Sequence, residues 1–73
     1  MTTKTFTDKE NGVALPYYLR NRVINVGDII FWEDEVEEMD DAIISVVKTT
    51  CRKFGIAINY NANDALEVVA ITE

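Results

Sequence analysis

Apolar residues recur along this chain with two different periods, and the change of period marks out the elements. From Val13 to Arg20 they alternate, with Val13, Leu15, Tyr17 and Leu19 on one side and Ala14, Pro16, Tyr18 and Arg20 on the other. A period of two predicts a half-buried strand. Pro16 has no amide proton, so that strand must be an edge or be interrupted there. A short helix starting at Pro16 is the competing reading. Upstream, the β-branched threonines around Phe6 predict a short strand at about residues 3–7, with residues 1–3 expected to fray. Asn11-Gly12 is a turn signal, because both residues tolerate positive φ. Gly27 predicts another turn of that kind, followed by a short apolar strand Ile29-Ile30-Phe31-Trp32, buried on both faces.

The period then changes to that of a helix. With Val36 at the origin and 100° per residue, Met39, Ile43, Val46, Val47, Thr50 and Phe54 fall within about 80° of it. Ala42, Ile44 and Cys51 flank this stripe, and Glu37, Glu38, Asp41, Ser45, Lys48 and Arg52 lie opposite. The spacing predicts one amphipathic helix over about residues 34–54. Asp34 is its expected N-cap, with Glu37 as the reciprocal partner of a capping box. Gly55 is placed to end the helix in the left-handed region, with Ile56 packing back on Cys51. Acids crowd its first turns, and Lys48, Arg52 and Lys53 its last, as the helix dipole favours.

Alternation returns at Ile56, Ile58 and Tyr60 and again from Leu66 to Thr72, with Asn61-Ala62-Asn63-Asp64 between them. This predicts a C-terminal hairpin. The order is β-β-(β)-α-β-β: an α+β fold with one helix lying across a small antiparallel sheet. The outer sheet face is expected to hold Ala57, Asn59 and Glu67. Val69 and Ile71, if they also point outward, would make an apolar strip there, suited to self-association.

Seventy-three residues make at most one domain, 1–73, near the size at which a single core is marginal. A 48% hydrophobic content is too apolar for a disordered chain. One cysteine permits no internal disulfide, and no apolar leader or membrane-length run is present, so a cytoplasmic setting is expected. The chain has no histidine and a single serine, Ser45. That excludes His-based acid–base chemistry, His-activated nucleophiles and His-ligated zinc. No enzyme activity, cofactor or metal site is expected.

Charge changes the picture most. Seven of the ten residues from Trp32 to Asp41 are carboxylates, within a chain of net charge −6. Glu37 and Asp41 are an i,i+4 like-charge pair, opposing helix formation by a few tenths of a kcal/mol. Self-repulsion beyond what capping requires suggests a field directed at a partner. The alternative is a solvated helix N-terminus. No EF-hand spacing is present, so a dedicated cation site is not expected. The basic residues Arg20, Arg22, Lys48, Arg52 and Lys53 balance the acids, and direct nucleic-acid binding is disfavoured.

The expected function is therefore a small acidic protein-binding module. It would inhibit or modulate a nucleic-acid-binding protein by occupying its basic groove, as a nucleic-acid mimic. By size and charge it is comparable to inhibitors carried by phages and mobile elements. Glu33, Glu35, Glu37, Glu38 and Asp41 are the expected partner-binding acids, with Trp32 and Tyr18 as apolar anchors. Tyr18 is chosen because it is out of phase with Val13, Leu15 and Leu19, whereas Tyr17 is in phase with the core. The competing function is an assembly subunit, a homo-oligomer joined by its sheet face or an edge strand. Cys51 is expected to be a small core residue, with a reactive thiol beside Lys48 and Arg52 as the alternative.

Overall fold

The computed structural model describes residues 2–72. The chain is a mixed α+β domain in the expected strand–helix–strand order. Its strands are β1 (Thr3–Phe6), β2 (Lys9–Glu10), β3 (Val13–Ala14), β4 (Arg22–Asn25) and β5 (Ile29–Phe31). Two helices follow, α1 (Glu33–Glu37) and α2 (Asp41–Lys53), and then β6 (Ile56–Tyr60) and β7 (Leu66–Ile71). All pairing is antiparallel. β7 is the centre of a three-stranded sheet between β5 and β6, β1 pairs with β4, and β2 with β3. The main helix, α2, packs on β6.

The expected hairpin of β6 and β7 forms, and its loop is organised by one side chain. Asn61 Oδ1 accepts the N–H groups of Asn63 at 2.8 Å and Ala65 at 3.1 Å. Asn11-Gly12 makes the turn between β2 and β3, with φ of 52° and 78°. Gly27 also has positive φ, and its N–H reaches Val68 O at 2.8 Å, stitching the β4–β5 turn to the central strand. Thr2 O accepts the Val26 N–H, and Thr3 opens β1. Met1, also expected to fray, lies outside the described residues.

Two register shifts decide which side chains enter the core. Between Ala57 and Ile58 the pairing jumps from Ala70 to Val68, so Val69 is an extra residue in β7. The bulge breaks the alternation. Val68 and Ile71, three apart, are both buried, while Val69 and Ala70 are exposed. Ile71 therefore does not join Val69 in an outer strip. A second shift makes Ile30 an extra residue in β5, and Ile30 and Phe31 are consecutive and both buried. Trp32, expected inside this strand, lies beyond its end and is 61% exposed.

Residues 13–20 are not one strand. Only Val13 and Ala14 are paired, and at Pro16 the chain enters a hydrogen-bonded turn in which Leu19 N–H bonds Pro16 O at 3.0 Å. Leu15 and Leu19, on either side of this turn, are both buried. Arg20 donates to Leu15 O from Nε and Nη2 (3.2 and 2.6 Å), and Arg22 to Tyr18 O at 3.1 Å. The two arginines satisfy carbonyls of this turn that no strand partner meets.

The core joins Leu15, Leu19, Ile24, Ile56, Leu66, Val68 and Cys51, all of them at 1% exposure or less, to the flanking Phe6, Phe31, Ile44, Val47 and Ile71. Among the described residues no buried side-chain polar atom lacks a hydrogen-bond partner.

Candidate functional site: the acidic corner of the two helices

The segment expected as one helix is two. α1 closes with i→i−3 bonds, Glu38 N–H to Glu35 O at 3.2 Å and Met39 N–H to Val36 O at 3.0 Å. Asp40 is then extended (φ −85°, ψ 170°) and caps α2, its Oδ1 accepting the Ile43 N–H at 2.9 Å. Asp34 is not an N-cap, and no Asp34–Glu37 capping box forms. The chain enters α1 through Trp32, whose N–H donates to Glu35 Oε1 at 3.0 Å. The acids favour the break, though their repulsion of a few tenths of a kcal/mol only adds to what core packing decides. A continuous helix would align Glu37 with Asp41, whereas ending α1 at Glu37 separates them and lets Asp40 satisfy an orphan amide.

The break also moves the buried stripe. Val36 and Met39 belong to α1 and its closing turn, so they cannot set the phase of α2. The face of α2 in the core carries Ile44, Val47 and Cys51, with Phe54 half-buried behind it. Ile43 and Val46, expected in the core, are 48% and 64% exposed. The end of α2 is as expected: Gly55 has φ +83° and its N–H bonds Arg52 O at 3.0 Å. Lys4 adds a cap from β1, donating to Phe54 O at 2.8 Å.

Each acid can now be placed. Glu35 and Asp40 are held by capping bonds, and Asp28 by the β4–β5 turn, where its Oδ2 accepts the Asn25 N–H at 2.8 Å. Glu33, Asp34, Glu37, Glu38 and Asp41 are exposed. The ion pair found among the described residues is Lys4–Glu10 at 2.9 Å, so none of these five is neutralised by a neighbouring cation. Among the described residues no group of three His, Cys, Asp or Glu side chains is arranged to hold a metal ion. No described helix is long and apolar enough to cross a membrane.

The aromatic anchors divide differently from the alternation. Tyr18 is half-buried: its ring lies 5.1 Å from that of Phe31 and packs against the core. Burial pushes its phenol above the usual tyrosine range, Cys51 and Tyr17 add to this, and the Thr50 hydroxyl partly offsets it. Tyr17, expected inside, is 75% exposed and meets Tyr18 edge-on at 5.3 Å. A hydrogen-bonded turn at 16–19, in place of a strand, exchanges the two.

Sequence reasoning missed a hollow on α2. Tyr18, Asp40, Ala42, Ile43, Val46 and Val47 line an open depression of about 380 Å³. A second, of about 260 Å³, is lined by Ser45, Val46, Thr49, Thr50 and Lys53. The signal was a second apolar phase in α2, which the Val36-centred wheel merged with the first. Cys51 is fully buried, and burial pushes its thiol up to about 11, opposite to activation by Lys48 and Arg52. Lys48 is placed instead over the Tyr60 ring at 4.9 Å.

No protein-family model matches this chain, and no curated protein or solved structure matches it either.

Proposed function

We propose that the chain is a non-catalytic binding module whose α1–α2 corner engages a basic surface on a partner protein, as a nucleic-acid-binding groove would present. The observation that carries this reading is the set of five exposed carboxylates, Glu33, Asp34, Glu37, Glu38 and Asp41, none neutralised by a cation among the described residues. Exposed Trp32 at the start of α1 supplies an apolar anchor beside them. Charges of one sign without internal partners steer encounter and set its salt dependence. Glu35 and Asp40 contribute to the field, but one oxygen of each is occupied by a capping bond.

The test is capture of the partner by cross-linking in the source cells, followed by titration at low and high salt. A basic, nucleic-acid-binding protein should be recovered, and its affinity should fall steeply with salt. The triple variant Glu33→Lys, Glu37→Lys, Glu38→Lys should lose binding while remaining folded. Affinity that is indifferent to salt and to this reversal would overturn the proposal.

A further inference from the structure

α2 carries more apolar surface than its own core covers. Ile44, Val47 and Cys51 face inward, yet Ile43 and Val46 stand 48% and 64% exposed on the other flank, each beside an open hollow. On this flank Ala42, Val46, Thr49 and Lys53 recur with the i, i+4, i+7, i+11 spacing of a helix–helix seam. Ala42, Ser45 and Thr49 are small enough to admit a close neighbour. Val46 is the ridge between the hollows, and lines both.

We infer that this flank of α2 is a homodimer seam, in which two copies pack their α2 helices antiparallel about a two-fold axis between Val46 and Thr49. The charges on the helix select that occupant and that direction. Asp40 and Asp41 lie at its start and Arg52 and Lys53 at its end. An antiparallel two-fold sets Val46 against the second copy's Thr49 and Ala42 against the second copy's Lys53. It also brings Asp41 within a turn of the second copy's cations. Because a two-fold contact is self-complementary, each such pair is made twice. A parallel arrangement would stack acid on acid and base on base. Each Val46 ridge meets a hollow of the other copy, which fills space that is open in the single chain. Glu33, Asp34, Glu37 and Glu38 line neither hollow. Asp41 is the one residue the seam shares with the acidic surface proposed above, and the seam does not depend on the other four carboxylates.

A thirteen-residue helix offers a small interface, so association in the micromolar range is expected. Sedimentation equilibrium from about 5 µM to 1 mM tests it, starting from a monomer of 8.3 kDa. The mass should rise toward twice that value. Val46→Glu, at a position already 64% exposed, should keep its circular dichroism and thermal midpoint and weaken the dimer at least about tenfold. Lys53→Asp should weaken it, and the exchange Asp41→Lys with Lys53→Asp should restore it. A chain that stays monomeric to 1 mM would overturn the inference. So would a dimer indifferent to Val46→Glu but broken by Val69→Glu, which would place self-association on the sheet.

Discussion

Asp40 Oδ1 accepts the Ile43 N–H at 2.9 Å, and this bond starts α2 afresh after α1 has closed. It makes Asp40 the acid of the run whose removal matters most to folding. Asp40→Ala should cost about 1 kcal/mol by urea denaturation, as loss of an N-cap does. Asp34→Ala, at a position that accepts no capping bond, should stay within about 0.5 kcal/mol of the parent. If the two variants were equally destabilised, the break between the helices would be wrong.

Gly55 and Gly12 separate backbone strain from collision. Both have positive φ, +83° and +78°. A methyl group on Gly12 would meet nothing within 4 Å, whereas one on Gly55 would run into the Thr72 carbonyl. Gly12→Ala should cost about 1 kcal/mol. Gly55→Ala should cost about 2–4 kcal/mol, because the end of α2 and the end of the sheet must part. Thermal melts of the two variants would expose any reversal of that order.

The turn that carries Tyr17 and Tyr18 is tied down by Arg20, through two hydrogen bonds to Leu15 O. Arg20→Met keeps the length of the stem and removes both donors. The expected loss is about 1–2 kcal/mol, with Arg20→Lys recovering part of it. A matching change in tyrosine fluorescence would report that the Tyr17–Tyr18 edge contact has loosened.

Alkaline pH should act through Cys51. Burial penalises the thiolate and pushes the thiol up to about 11, above the 9.0 of a free cysteine. The folded state thus holds its proton where the unfolded state releases it. The associated stability is fully present below pH 9 and lost as pH rises to about 11, amounting to at most about 3 kcal/mol. Tyr18 shifts in the same direction and reinforces the loss. In Cys51→Ala the slope of stability between these pH values should flatten. The same burial should make thiol labelling slow at neutral pH, at a rate that follows unfolding in urea. Fast labelling of the native chain would contradict the burial.

Local chemistry was legible in the sequence wherever a residue's own backbone preference decides the conformation. Asn11-Gly12, Gly27 and Gly55 stand at positive φ as their residue types require, and the hairpin from Ile56 to Ile71 follows from its alternation and the Asn61 loop. The α+β class and the strand–helix–strand order come from the same patterns. What the pattern could not hold was phase across a discontinuity. Asp40 resets the helix, Val69 and Ile30 reset the strands, and the turn at Pro16 replaces a strand. Each reset rotates every side chain beyond it, which is why Ile43, Val46, Tyr17 and Ile71 ended on the side opposite to the one the alternation or the helical wheel assigned.

The sequence by itself therefore determined the turns, the class of fold and the concentration of acids between Trp32 and Asp41, since these depend on residue identity and near neighbours. Tertiary structure decided which acids are free and which apolar residues face water. Those outcomes depend on where packing of the core against β6 and β7 makes a register shift or a second N-cap cheaper than a continuous element. Glu35 and Asp40 were drawn into capping, and Ile43 and Val46 were left outside. The proposed binding corner and the proposed α2 seam are both products of that partition.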